Sequence, residues 1–258
     1  MINRINGILS SLLWIWVQTA TAQTSVNLGT ASNFAVLASS GITIAASGTS
    51  QITGDIGSTP TATITGLENL TLDGINHGGD PITQQAHADL FTAYSDAAGR
   101  TPDVIYPTGF DLVGLFLSPG IYNSPAVLTL SGVLTLDAQA DPNAVWIFQA
   151  GSTLGTAVAS QVALINGALA SHVFWQVGSS ATLGAGSEFA GNLLAAQSIT
   201  LVSGASVEGR LLAYNAAVTI DFNEISLPAA AIPEPATVLL LGSGLFSLLA
   251  LQRRNIRR

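Results

Sequence analysis

The chain contains no lysine and no cysteine, and only 9% of its 258 residues are charged. All seven basic residues are arginines, so a Walker phosphate loop, a Schiff-base amine and a Ser-x-x-Lys nucleophile have no residue to carry them. Without cysteine there is no disulfide frame, thiolate nucleophile or zinc-thiolate site. Positive charge is scarcest in the middle of the chain. Between residues 23 and 232 only Arg100 and Arg210 are basic, against 14 carboxylates, since of the chain's 15 only Glu234 lies beyond. Two cations less 14 anions leave −12, which repels phosphate backbones and anionic lipid and argues against a nucleic-acid partner. Stability has to come from burial and backbone hydrogen bonds, and about 210 residues suffice for one domain with a sizeable core.

Both ends are hydrophobic and read as addressing segments. Arg4 precedes an apolar stretch from Ile8 to Val17 and then Ala20-Thr21-Ala22. That small-x-small pattern predicts a signal peptide over residues 1–22, cut before Gln23. The apolar run is about half of the ~20 residues that a membrane span needs. At the other end Pro233-Glu234-Pro235 is followed by an apolar segment, residues 236–251, and by Arg253, Arg254, Arg257 and Arg258. This order resembles the PEP-CTERM sorting signal of bacteria. The resemblance implies processing by an exosortase near the Pro-Glu-Pro, with the arginines holding the tail in the cytoplasm as the positive-inside rule requires. A plain carboxyl-terminal membrane anchor is the alternative. Either way the body, residues 23–227, is expected outside the cytoplasm, secreted or at the cell surface, with a linker and the sorting segment over 228–258.

Between the ends the sequence repeats. Gly191-Asn192-Leu193-Leu194-Ala195 is matched 18 residues later by Gly209-Arg210-Leu211-Leu212-Ala213. Thr182-Leu183, Thr200-Leu201 and Thr219-Ile220 keep step at 18 and 19, and Phe148-Gln149-Ala150-Gly151-Ser152 returns as Trp175-Gln176-Val177-Gly178-Ser179 at 27. A period near 20 signals a solenoid. Each unit holds short alternating runs, such as Val133-Leu134-Thr135-Leu136 or Ser198-Ile199-Thr200-Leu201, separated by Gly, Ser, Asn or Asp, the pattern of strands bent at corners. Three short strands per coil predict an all-β triangular solenoid, each coil burying its inward aliphatics against the next. A β-sandwich is the competing fold. One segment departs from the pattern: Asp80-Pro81 followed by Ala86, Leu90, Tyr94 and Ala97 predicts a capped helix over roughly 81–98, lying along the solenoid.

Chemistry is sparse. His77, His87 and His172 have no partner at a metal-ligand spacing, and no Gly-x-Ser-x-Gly elbow or Gly-x-Gly-x-x-Gly loop occurs. Asp137 and Asp141 flank a turn through Pro142-Asn143, where aspartate serves turn geometry rather than an EF-hand-like ligand set. Asp55, Glu68, Asp73, Glu188, Glu208, Asp221 and Glu224 are scattered, unlike the paired carboxylates of a glycosidase. No catalytic residue, metal or cofactor is expected.

Small hydroxyl residues stand out instead. Ser47-Gly48-Thr49-Ser50, Thr156-Ala157-Val158-Ala159, Ala185-Gly186-Ser187-Glu188 and Ser203-Gly204-Ala205-Ser206 share a loose four-residue form, and Thr61 and Thr63 lie in an alternating threonine run. On a solenoid face, Ser47, Thr49, Ser50, Thr61, Thr63, Thr156, Ser187, Ser203 and Ser206 would form a flat array spaced about 6.7 Å along strands and about 4.8 Å between coils. Methyls that restrict first-shell water, beside hydroxyls that anchor it, could adsorb to ice. The competing reading is that such residues simply fill corners.

Longer motifs carry a family resemblance. Asn27-Leu28-Gly29-Thr30-Ala31-Ser32-Asn33-Phe34-Ala35-Val36-Leu37-Ala38, Thr53-Gly54-Asp55-Ile56-Gly57, Asp141-Pro142-Asn143-Ala144-Val145-Trp146-Ile147-Phe148-Gln149 and Val173-Phe174-Trp175-Gln176-Val177-Gly178-Ser179-Ser180-Ala181-Thr182-Leu183-Gly184 are similar to stretches of the DUF3494 ice-binding family. The similarity runs from about residue 25 to 226. It implies a discontinuous right-handed β-helix with a long helix alongside, and binding to an ice crystal surface through one flat face bearing a Thr-Ala/Gly-x-Thr/Asn motif. The chain departs from that motif, with Ser47 and Ser50, Thr156 and Ala159, Ala185 and Glu188, and Ser203 and Ser206 at its first and fourth places. The other reading left open is a structural or adhesive solenoid of the extracellular matrix, attached to polysaccharide or the cell surface.

Overall fold

The computed structural model describes residues 23–228. The predicted signal peptide, Pro233-Glu234-Pro235, segment 236–251 and the arginine tail lie outside them. The chain winds through strands on three faces in turn. β1 (Phe34–Ala38), β2 (Ile42–Ile44) and β3 (Ser50–Thr53) form one coil, and β4 (Asp55–Ser58), β5 (Ile64–Thr65) and β6 (Leu70–Asp73) the next. After β7 (Asn76–Gly78) the chain leaves the solenoid as α1 (Pro81–Gly99). It re-enters with β8 (Val104–Ile105), β9 (Phe110–Asp111) and β10 (Phe116–Leu117). Two full coils follow, β11 (Gly120–Ser124), β12 (Leu128–Leu130) and β13 (Val133–Asp137), then β14 (Trp146–Ala150), β15 (Leu154–Thr156) and β16 (Gln161–Ile165). β17 (Val173–Val177) and β18 (Ala181–Leu183) lead to β19 (Glu188–Ala195), which bends from the third face onto the first. β20 (Ile199–Leu201), the similarly bent β21 (Ser206–Ala213), β22 (Val218–Ile220) and β23 (Glu224–Ser226) complete the fold.

The stacking order is not the chain order. On the first face β1 pairs with β21 on one side and β4 on the other, and β2 and β3 likewise take β22 and β23 as neighbours. The first coil thus docks on the last, and every pairing is parallel. The result is the discontinuous triangular β-helix expected, with the right-handed sense of parallel crossovers, and not a sandwich. Nine first-face strands stacked about 4.8 Å apart extend about 38 Å, so the chain needs a long return path from β7 to β8. α1, with 19 residues or about 28 Å, supplies most of it.

Burial explains the strand patterns. The central first-face strands β1, β14 and β17 are buried along their whole length, because one side packs into the prism and the other under α1. Val36, Trp146, Phe148, Trp175 and Leu211 point inward, whereas Leu37, Ile147, Phe174, Leu194 and Leu212 meet Ala86, Leu90, Ala93 and Ala97 of the helix. The three alanines let the helix lie close. Asp80 caps it by accepting the Thr83 N–H at 2.8 Å, with Pro81 in the first turn. Inside the prism an aromatic column runs from Tyr106 and Tyr122 through Phe148 and Trp175 to Phe189, with Phe148 and Trp175 stacked at 4.0 Å.

The repeated Gly191 and Gly209 sit opposite each other where β19 and β21 turn between faces. A Cβ at Gly209 would lie 1.9 Å from the Gly191 carbonyl oxygen, so only glycine permits the coils to stack there.

Candidate functional site

The nine hydroxyl residues singled out from sequence do not form one flat face. Seven of them, Ser47, Thr49, Ser50, Thr156, Ser187, Ser203 and Ser206, line the edge where the second face turns into the third. Thr61 and Thr63 stand exposed at another edge, just before β5. The structure does bring the four related segments together, because their turns stack. The Gly186 N–H donates to the Ser203 carbonyl at 3.2 Å, Ala159 N–H to the Ala185 carbonyl at 2.9 Å, and Gly204 N–H to the Phe222 carbonyl at 3.0 Å.

Two of the nine are corrected by burial. Ser50 is 0% and Ser187 1% exposed, so neither reaches the surface; the Ser50 Oγ accepts the Asn223 N–H at 3.2 Å inside the corner. Thr156 is half-buried, its Oγ1 accepting the Gly184 N–H at 2.9 Å. Ser47 and Thr49 are exposed, and Ser203 and Ser206 partly so. They share the edge with the exposed apolar side chains of Val158, Val202 and Phe222.

The ordered array lies on the second face. There the strands run in the order β5, β2, β22, β20, β18, β15, β12, β9, and in β2, β22, β20, β18 and β12 two buried apolar residues flank an outward middle one. Ile42, Ile44, Ile199, Leu201, Val218 and Ile220 are all buried, while Thr43, Thr65 and Thr182 are exposed and Thr129, Thr200 and Thr219 half-buried. The outward residues are in register: Thr65 opposes Thr43, Thr43 opposes Thr219, Thr219 opposes Thr200, and Thr200 opposes Thr182. Gly155 takes the next place, then Thr129, and Asp111 ends the row. Beside it runs a second line of small residues, Thr63, Gly41, Ala217, Ser198, Ser180 and Thr153, whose carbonyls accept the ladder hydrogen bonds. Six threonines in eight coils therefore form one straight ladder. Sequence reasoning missed it as a site, although the signal was present in triplets such as Ile42-Thr43-Ile44 and Ile199-Thr200-Leu201.

The other two faces differ in kind. α1 covers the first. The third carries exposed Glu188, Glu208 and Glu224 on consecutive neighbouring strands, and strongly hydrated carboxylates keep their water. It is also split, since β16 meets β19 only at Gln161 and Glu188, and a groove of about 410 Å³ opens there between Ala163, Leu164, Phe189 and Glu208.

Comparison with known proteins places the chain. The profile of the Ice-binding-like family matches residues 36–226, and that of the PEP-CTERM protein-sorting motif matches residues 231–254. An ice-binding protein of Nostoc sp. (strain HG1) is 42% identical over 97% of this chain and 96% of its own length. Among solved structures, an ice-binding protein from the Antarctic ascomycete Antarctomyces psychrotrophicus superposes with a TM-score of 0.77 at 39% identity, over 80% of this chain and 100% of that one. Another, from an Antarctic biological consortium, gives 0.76 at 44% identity over 81% and 94%. With its coil order, its helix and its matched span in agreement, the chain belongs to the Ice-binding-like family.

Proposed function

We propose that this chain is an exported protein that adsorbs to ice through its second face, with Ser47, Thr49, Ser203 and Ser206 on the adjoining edge as a margin of the contact. The observation that carries this reading is the threonine ladder Thr65, Thr43, Thr219, Thr200 and Thr182, held in one register by parallel strands. Threonine is stiff at χ1, so little side-chain freedom remains to be lost when the surface meets a solid. Its methyl restricts the neighbouring water while its hydroxyl binds it, and repetition about every 4.8 Å turns many weak contacts into one fixed lattice. Molecules held this way force ice to grow as curved fronts between them, which raises its free energy and slows growth and recrystallisation. The surface works by adsorption, without cofactor or turnover. Export through the predicted signal peptide, and exosortase processing near Pro233-Glu234-Pro235, would leave the domain at the cell surface or in the polymer around it.

The test is ice-crystal shaping and thermal hysteresis of the purified protein beside Thr182→Tyr and Thr200→Tyr on the ladder, Ser203→Tyr on the edge and Glu208→Tyr on the third face. Circular dichroism confirms that each is folded. The ladder variants should lose most of the activity, Ser203→Tyr a smaller part and Glu208→Tyr none. Fully active ladder variants would remove the second face from the contact. A folded wild-type protein that neither shapes ice nor slows recrystallisation would leave the adhesive surface solenoid as the reading.

A further inference from the structure

Arg210 is one of two cations in a body of charge −12, and it has no carboxylate partner among the described residues. The other, Arg100, pairs with Asp96 at 2.7 Å. Arg210 projects from β21 on the outward side of the first face, beside Asn192 of β19. Its Nε donates to the Ser32 carbonyl at 2.9 Å and its Nη1 to the Asn192 Oδ1 at 2.7 Å. Asn192 is fully buried, and its Nδ2 donates to the carbonyls of Ser171 and Val173. Those two bonds fix which way its amide faces, and so aim the guanidinium. Nη2 has no acceptor among the described residues.

A cation taken out of water without a counter-charge is costly. Burial without a neighbouring carboxylate lowers the Arg210 pKa to about 10, which leaves it charged at neutral pH. The guanidinium borders a surface pocket of about 410 Å³ whose other polar lining comes from Ser25, Asn27, Ser32, Ser171 and His172. None of the 14 carboxylates of the body contributes to it. In a molecule otherwise dominated by negative charge, this pocket combines a fixed guanidinium, hydroxyls and an imidazole.

The geometry points to an oxyanion-binding pocket built on Arg210, whose ligand is the carboxylate of a small organic or sugar acid. The planar fork suits a carboxylate, which can accept from the free N–H groups of the guanidinium side by side. The Ser25 and Ser171 hydroxyls and the His172 ring can donate around it. The volume exceeds what a bare ion fills, leaving room for the body of the acid. The site is remote in kind from the second face, and it stands or falls independently of ice adsorption.

The experiment is a thermal melt of the purified protein with acetate, glucuronate, sulfate or neutral glucose, at constant ionic strength set with chloride. It is read beside the Arg210 Nε–H resonance in a ¹H–¹⁵N spectrum. Binding is expected as a saturable rise in Tm with acetate and glucuronate but not glucose, and as a saturable movement of the Arg210 resonance while that of Arg100 stays. Glucuronate acting at lower concentration than acetate would show that the pocket takes the sugar ring as well, and equal potency that it takes the free carboxylate group alone. Sulfate acting at the lowest concentration would overturn the carboxylate assignment. Arg210→Gln should lose the rise. Should that variant misfold, for want of its bonds to Ser32 and Asn192, His172→Ala should weaken the effect and the wild-type resonance remains decisive. A rise that never saturates, or one unchanged in the folded variants, would be a general salt effect and would overturn the proposal, as would an unmoved Arg210 resonance.

Discussion

Gly155 interrupts the threonine ladder, between Thr182 on one side and Thr129 on the other. A Cβ built there meets nothing within 4 Å, and its φ lies outside the range that strains other residues. Gly155→Thr therefore has room and a compatible backbone. At present five threonines stand in an unbroken row, Thr65 to Thr182, spanning four coil spacings or about 19 Å. The substitution joins Thr129 to that row, making seven over six spacings, about 29 Å, and lengthening the ordered array by half. It also removes a glycine from a strand, where its freedom in the unfolded chain costs about 0.5–1 kcal/mol against alanine, and adds a β-branched residue that favours strands. The folded state should gain about 1 kcal/mol, read as a higher denaturant midpoint with unchanged slope. Thermal hysteresis at equal concentration should rise above wild type. A variant that gains the stability but shows equal or weaker hysteresis would refute the assignment of the ladder to ice.

Three further outcomes follow from the architecture. Trp175→Ala removes a side chain 1% exposed, stacked on Phe148 at 4.0 Å, whose Nε1 donates to the Ala190 carbonyl at 3.0 Å; it should cost about 3–5 kcal/mol in urea unfolding, and a loss below about 1 would show the aromatic column to be dispensable. Gly209→Ala sets a Cβ 1.9 Å from the Gly191 carbonyl oxygen and should destabilise by about 3 kcal/mol or more, seen as low soluble yield or a lowered Tm. His77 lies between Asp80 at 2.9 Å and Asp55 at 3.2 Å. Burial opposes its proton, but the two carboxylates outweigh this and raise its pKa above 6.5, while the Thr83 N–H and His77 hold Asp80 below 3.8. The histidine's contribution is full below pH 6.5 and fades as pH rises through its folded value; that of Asp80 is full above 3.8 and fades as pH falls through its own. Stability should therefore drop between mildly acidic and alkaline pH in the wild type, and the drop should shrink in His77→Gln; identical pH profiles would remove the clamp.

The repeat offsets visible in the sequence are the strand registers themselves. Gly191 and Gly209, 18 apart, are partners; so are Thr182 and Thr200; and Phe148 and Trp175, 27 apart, stack in the core. The helix was legible for a similar reason, since a cap, a proline and a stripe of small apolar residues are local signals. The threonine ladder was less legible because hydroxyls were grouped by a motif that belongs to corners, where Ser50 and Ser187 turn inward. Direction follows from the apolar neighbours on either side, as in Val218-Thr219-Ile220, and from knowing which triplets share a face. Nor does any local signal tell that β1 sits beside β21, about 175 residues along the chain, since β1 and the first-face end of β21, Leu211-Leu212-Ala213, are apolar runs that would suit any first-face position.

That docking of the first coil between the last and the second has a consequence for the order in which the molecule can form. The amino-terminal coil is made first and leaves the ribosome first, yet one side of it stays an open strand edge until residues 206–226 arrive. Coils from β8 onward can add one upon another as they emerge, each on a neighbour already present. The final step is different, because it joins the two ends of the domain and closes both open edges at once. Such distant pairing is slow, and under the export proposed above the prism would be completed only on the far side of the membrane.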